Sequence, residues 1–309
     1  MPLVLAITLL VVGQSQVNAA FWNLSGDTGV HDPSIIKEGN SWYTFSTGQG
    51  LQVLKSDNGT SWYRAPQIFL EEPSWWAQAV PKHKKLDVWA PDVHQYNGKV
   101  WLYYSISSFG DNTSAIGLAS ASSIGAGQWK DEGLVIQSTS SNNYNAIDPN
   151  LVIDQSGNPW LAFGSFWSGL KIVKLNKSTM KPDGQIISIA ARPNNNGAIE
   201  GASITYHNGY YYLFASIDSC CKGVNSTYKI VYGRSTNITG PYVDKNGVRM
   251  LDGGYTLFDA GNDRWKGPGG EDIYNGNIIA RHAYDAKDNG NPKLLINDLY
   301  WDSQGWPTY

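Results

Sequence analysis

Short apolar runs broken by polar turns recur along the chain from about residue 30 to its end, and four stretches repeat one another in detail. They are HDPSIIKEGNSWYTFS from His31, APDVHQYNGKVWLYYS from Ala90, IDPNLVIDQSGNPWLAFGS from Ile147 and IEGASITYHNGYYYLFAS from Ile199. Each reads as a carboxylate, an apolar strand, a turn ending in Gly, an aromatic strand and then Ser. Asn-Gly and Ser-Gly turns between apolar runs are strong hairpin signals, because glycine tolerates the backbone a tight turn needs. The turn glycines are Gly39, Gly98, Gly157 and Gly209, and a divergent fifth copy, GGEDIYNGNIIARHAYD, turns at Gly276.

Successive turn glycines lie 59, 59, 52 and 67 residues apart. A unit of that length holds four short strands with their loops, which is one blade of a propeller. Five such units fill the chain after residue 20. The repeat therefore predicts an all-β protein, a single-domain five-bladed β-propeller over residues 21–309, with the first strand of each blade lining a central channel. No stretch of useful length after the N-terminal segment has the helical period.

Residues 1–20 follow a different pattern. Leu3 to Val12 is an apolar run too short to span a bilayer, and Val17-Asn18-Ala19 offers small residues at cleavage spacing. This reads as a signal peptide, although no Lys or Arg precedes the run, and it predicts a secreted, extracellular protein. Composition agrees with the strand-rich reading. Charged residues make up only 16%, while 13 Trp, 18 Tyr, 8 Phe and 33 Gly suit sheets, turns and sugar-stacking platforms. The net charge of −3 and the lack of a basic block argue against nucleic acid or an anionic membrane as partner. A monomer is expected.

The two cysteines, Cys220 and Cys221, are neighbours. A disulfide framework is excluded. Adjacent Cα atoms are only about 3.8 Å apart, closer than bridged cysteines prefer. Two free thiols and a strained vicinal disulfide both remain open.

The repeat also gathers chemistry. Asp32, Asp92, Asp148 and Glu200 all fall at or near the start of a first strand. In a propeller those starts converge at one end of the axis. A single Asp there would merely cap a turn. Several together imply a purpose, because like charges in one site cost stability.

The motifs VHDPSII at Val30, WAPDV at Trp89, SSFGDNTSAIGLA at Ser107, NAIDPNLVID at Asn145, FGSFWSGL at Phe163 and IEGASITYHNGYYYLF at Ile199 closely resemble the arabinanases of glycoside hydrolase family 43. DSCCKGVNSTYKI at Asp218, GPGGEDIY at Gly267 and HAYD at His282 complete the resemblance, which runs over nearly the whole chain after residue 20. It implies inverting hydrolysis of internal α-1,5 bonds in arabinan, with arabinan or arabino-oligosaccharides as partners.

The resemblance also implies roles. Asp32 would be the general base, Glu200 the general acid, and Asp148 the residue that orients the acid and raises its pKa. Inversion needs an ionised carboxylate and a protonated carboxyl, set apart to leave room for water. Trp89 and Phe109 resemble sugar-contacting aromatics, with Trp75 and Trp167 weaker candidates of the same kind. Asn145 and Ser165 would hydrogen-bond the substrate or the trio. His282 resembles an axial histidine near a metal ion, commonly calcium, that keeps mostly water ligands. No organic cofactor is expected. Glu271 and Asp272 would add ligands or merely solvate their loop. The cysteine pair resembles a feature of some arabinanases and, as a ring, would form a small apolar surface on the cleft side.

Two other readings keep the fold. An exo-acting α-L-arabinofuranosidase or β-xylosidase would close one end of the cleft, with residues 73–86 as a wall, a segment that would equally line an open groove. A non-catalytic sugar-binding propeller would keep the aromatics with a broken trio, whereas all three carboxylates are present here.

Overall fold

The computed structural model describes residues 21–309, and the expected signal peptide lies outside them. Among the described residues five sheets, antiparallel except where Ser25–Gly26 pairs parallel with Ser61–Ala65, follow one another in chain order and precede a small two-stranded sheet. Their innermost strands are Ser34–Glu38, Asp87–Tyr96, Asn150–Ile153, Ile199–His207 and Trp265–Tyr274. These strands pack in cyclic order, each on the next and the fifth back on the first, so the sheets are the blades of a closed five-bladed propeller. The hairpins that open the blades turn at Gly39, Gly98, Gly157, Gly209 and Gly276, all with positive φ, where glycine pays no steric penalty.

The second strands explain the aromatic richness. Lys99–Ile106, Tyr210–Ile217 and Ile278–Asp285 are buried along almost their whole length. Both faces of such a strand are covered by neighbouring blades, so apolar residues run on without the polar alternation of a half-exposed sheet. Ring closure is completed from the N-terminal side. The fifth blade has three strands, Trp265–Tyr274, Ile278–Asp285 and Asn291–Asp298. Phe21 bridges Asn297, and the Trp22 N–H donates to the Ile296 carbonyl at 2.9 Å.

Each blade enters its inner strand through one left-handed residue: Asp32, Ala90, Asp148, Gly201 and Gly270. Two residues further on, a polar side chain reaches the next blade. Ser34 accepts from the Val93 N–H, Asp92 from Leu151, Asn150 from Ile204, Ser203 from Ile273 and Asp272 from Ile35, at 2.6–3.1 Å. These five bonds form a closed belt around the axis, and all five side chains are buried. The belt corrects the grouping of Asp92 with the other entry carboxylates. Asp92 stands two residues past the left-handed position and holds blade 2 to blade 3, receiving Asn150 Nδ2 as well.

Candidate active site

The blade-entry residues place Asp32, Asp148 and Glu200 at one end of the axis. Asp32 and Asp148 are themselves the left-handed residues of blades 1 and 3, and Glu200 precedes the left-handed Gly201 of blade 4. A second set of inter-blade bonds fixes this level. The Ala90 N–H donates to Thr47, the Asp148 N–H to Ser105 and the Gly270 N–H to Ser216. His282 takes the equivalent place in blade 5, its Nδ1 accepting the Asp32 N–H at 3.1 Å. Ser165 of blade 3 instead donates to Glu200 Oε2 at 2.5 Å.

Asp32 is held by donors. Its Oδ2 accepts from Thr47 Oγ1 at 2.7 Å and from His31 Nδ1 at 2.8 Å. An ionised carboxylate can only accept, which assigns a proton to His31 Nδ1. His31 Nε2 is 2.7 Å from the Tyr284 hydroxyl, and the His31 ring stacks on His282 at 3.7 Å. Burial alone would raise the Asp32 pKa. The charge and hydrogen bond of His31, with help from His282 and Thr47, outweigh burial and hold the carboxyl well below its usual range.

Glu200 and Asp148 are shifted the other way. Burial raises Glu200, and the Asp32 charge adds to this, against the donated bonds of Ser165 and of Tyr228, whose hydroxyl is 2.6 Å from Oε1. Asp148 is pushed well above its usual value by burial first, then by Glu200 and Asp32, against a bond from the Gly201 N–H at 3.1 Å. The two carboxyls repel each other when both are ionised, so the pair retains a proton beyond the ordinary carboxylate range. The surroundings thus push Asp32 toward its ionised form and the Glu200–Asp148 pair toward a protonated one.

A cavity of about 40 Å³ on the axis is lined by Asp32, Asp148, Tyr228 and Glu271, with Ser34 and Asp92 of the belt. That volume suits water or an ion and is far below a sugar-sized pocket. Among the described residues, the Oε1 of buried Glu271, which lines this cavity, has no hydrogen-bond partner, nor has the Nε2 of fully buried His282, whose Nδ1 faces Asp32. Glu271 Oε2 accepts from Ser216, and burial pushes this carboxyl up to about 8. Asp272 is engaged in the belt, where it also accepts from Ser34 Oγ at 3.0 Å.

The remaining candidates are placed as follows. Trp89 is half-buried on the blade-2 inner strand, one residue before left-handed Ala90. Phe109 is 83% exposed on the loop after the second strand of that blade. Ser165 is a direct partner of Glu200. Asn145 is buried, and its Oδ1 has no partner. Trp167 is 43% exposed, with φ of +41°. Trp75 is half-buried and packs against Trp76 and Tyr104 at the edge of the core.

Several residues of the site escape a reading by carboxylates and aromatics. Ser105 and Ser216 are the serines that end the repeat, so their recurrence was a signal. His31 adjoins Asp32, and Tyr284 lies in the HAYD motif. Tyr228 and Gly270 lie in the DSCCKGVNSTYKI and GPGGEDIY motifs, whereas Thr47 carries no such mark, because only the folded chain brings it to the carboxylates.

The comparisons with known proteins agree with this geometry. A family model described as glycosyl hydrolases family 43 matches residues 26–307. The extracellular endo-α-(1→5)-L-arabinanase 1 of Bacillus subtilis is 63% identical over 309 residues, covering 99% of this chain and 95% of that one. The extracellular exo-α-(1→5)-L-arabinofuranosidase of Cellvibrio japonicus is 40% identical over 90% of this chain and 85% of its own. Among solved structures, a family 43 endo-arabinanase from Bacillus licheniformis superposes with a TM-score of 0.92 at 66% identity, covering 94% of this chain and all of that one.

Proposed function

The chain belongs to glycoside hydrolase family 43, and we propose that it is a secreted endo-acting arabinanase that cleaves internal α-1,5-arabinofuranosidic bonds with inversion. The observation that supports the chemistry most is the convergence of three carboxyls from different blades, Asp32 held by His31 and Thr47, Glu200 by Ser165 and Tyr228, and Asp148 by the Gly201 N–H, with surroundings that push Asp32 down and Glu200 and Asp148 up. The identity of nearly two thirds to a full-length endo-arabinanase supports the substrate and the mode of attack. That relative's extracellular place supports secretion.

In this reading Asp32 takes a proton from water as the water attacks the anomeric carbon. Glu200 gives its proton to the leaving glycosidic oxygen. Asp148 shares the proton with Glu200 and raises its pKa by repulsion. When Glu200 is protonated, one of its two hydroxyl partners, Ser165 or Tyr228, turns to accept. After the reaction Asp32 holds a proton and Glu200 has lost one. Exchange with water restores both. Trp89 and Phe109 would provide flat faces for furanose rings. Asn145 would offer its unpaired carbonyl oxygen to the sugar or to bound water.

We further propose one calcium ion on the axis. Its fit rests on the unpartnered Oε1 of Glu271, which lines a water-sized cavity, and on the unpartnered Nε2 of His282, whose ring adjoins Asp32 of the same cavity. To act as a ligand through Nε2 the ring would carry its proton on Nδ1, which would exchange the Asp32 N–H it accepts here for the Asp32 Oδ1 at 3.5 Å. Both His31 nitrogens are engaged, by Asp32 and Tyr284, and of the His282 nitrogens only Nε2 has no hydrogen-bond partner among the described residues. Two protein donors suit a hard cation that keeps most of its ligands as water. Bound there, the ion would supply positive charge that favours the ionised form of Asp32.

A digest of linear α-1,5-arabinan tests the reading. A ladder of oligosaccharides supports endo action. Arabinose alone from the first time points means the exo-acting alternative. Binding without hydrolysis means the non-catalytic one.

A further inference from the structure

Cys220 and Cys221 are joined by a disulfide, and the exposed Cys221 stands in the left-handed region with φ of +66°. A residue with a β-carbon seldom adopts that backbone unless its surroundings hold it there. The consequence is directional. The Cys221 N–H donates to the Tyr284 hydroxyl at 2.8 Å. That hydroxyl is 2.7 Å from His31 Nε2, and His31 Nδ1 is 2.8 Å from Asp32 Oδ2. Cys221 Sγ also lies 3.9 Å from His31 Nε2. The disulfide therefore stands at the outer end of a continuous chain of contacts that ends on the Asp32 carboxylate.

The segment carrying it is pinned on either side. Asp218 pairs with Arg192 at 2.6 Å and Lys229 at 2.8 Å. Ser219 and Thr227 are bonded across the loop, as are Lys222 and Ser226. Tyr228, at the far end, donates to Glu200. Between these anchors, the covalent ring is what fixes residues 220 and 221.

We propose that the Cys220–Cys221 disulfide is a positioning element for the Asp32 base, and that its reduction by a thiol lowers turnover without unfolding the propeller. The proposal rests on the reading of Asp32 as base. Reduction adds two electrons and two protons: a dithiol attacks the S–S bond, leaves two cysteine thiols and closes to its own cyclic disulfide. Released from the ring, Cys221 relaxes from the left-handed region and its N–H loses its aim at Tyr284. Tyr284 and His31 then no longer fix Asp32. Misplacing a catalytic group by about 1 Å can cost about a hundredfold in rate. The ring closes no long loop, so the global fold does not depend on it.

The test uses the full mature protein and linear arabinan. After treatment with dithiothreitol and removal of the reagent, alkylation and mass spectrometry verify two thiols. The expected result is a fall in kcat of between ten- and a hundredfold, with KM and Tm unchanged and activity restored on reoxidation. The double variant Cys220→Ser/Cys221→Ser should show the same low kcat and no response to dithiol. Tyr284→Phe, which removes the central hydroxyl, should lower kcat similarly and make dithiol treatment nearly without further effect, since both act on one chain of contacts. Full activity with both thiols alkylated overturns the proposal. So does a fall in Tm that accounts for the loss, or strictly additive effects of reduction and Tyr284→Phe. Asp32→Asn assayed alongside separates the two levels. Wild-type turnover in that variant removes the base reading itself, whereas an inactive Asp32→Asn beside a fully active reduced enzyme removes only the role of the disulfide.

Discussion

A β-carbon placed on Gly270 would lie 2.4 Å from Asp32 Oδ1, 2.9 Å from its Cα and 3.1 Å from His282 Nδ1. Gly270 also has φ of +55°, so an L side chain there is strained as well as crowded. The fifth blade thus comes close enough to shape the base only because this position has no side chain. Gly270→Ala should push Asp32 away from His282 and Thr47 and lower kcat by about a hundredfold. Steady-state kinetics with circular dichroism checks this: a folded Gly270→Ala protein with near-normal turnover would refute it.

Tyr228 supplies the second handle on protonation. Its hydroxyl stabilises the charged form of Glu200 and so lowers the Glu200 pKa against the effect of burial. Tyr228→Phe removes that donor, and the Glu200 pKa rises. A general acid must be protonated to act, so activity falls as pH rises through its pKa. The alkaline limb of the kcat/KM profile should therefore move to higher pH in Tyr228→Phe, with a rate loss of about tenfold at the optimum. A limb that moves to lower pH would contradict the assignment of Glu200.

The axial belt makes stability depend on pH through His94. Burial lowers its pKa, but Asp92 at 3.3 Å outweighs burial and raises it from 6.5 to about 8. A raised histidine stabilises the fold fully below its unfolded value, and the contribution is lost as pH rises from 6.5 to about 8. The imidazole is 33% exposed, so solvent screening leaves about 1 kcal/mol. Denaturant melts between pH 6 and 9 should show His94→Gln less stable than the parent at pH 6 and nearly equal to it at pH 9. A constant gap would exclude the ion pair as its source.

Removing divalent ions tests the axial site. If calcium occupies the axial site as proposed, chelation should lower kcat several-fold, with recovery on adding calcium, because the bound charge would act on the carboxyls around the axis. His282→Ala should have low activity that neither chelation nor calcium changes. Calcium dependence that survives His282→Ala would place the ion elsewhere.

The architecture was legible because it is periodic. Five turn glycines at blade spacing are all positive-φ turn residues, and the strands between them are those of the blades. Asp32, Asp148 and Glu200 could be placed together because the repeat puts each at a strand start. The same repeat misled for Asp92. Its place two residues further along is visible in the alignment of DPS, APD and DPN, yet whether a carboxylate faces the site or the belt depends on one left-handed residue before it. The Thr47, Tyr228 and Gly270 contacts were not legible. They join blades far apart in sequence, and a threonine, a tyrosine or a glycine in a strand-rich chain has many ordinary uses. The short helix Trp75–Ala79 buries Trp76 and packs half-buried Trp75 beside it, so part of that tryptophan's surface serves the packing of the blade.

The central claim is that Asp32 delivers water while Glu200 delivers a proton in a single displacement. The stereochemistry of the first product tests it most directly. Proton NMR of linear α-1,5-arabinan, recorded within seconds to minutes of adding enzyme, should show the β-anomer of the new reducing end appearing first, with the α-anomer growing in by mutarotation. An initial α-anomer would mean retention through a covalent intermediate and would contradict the account.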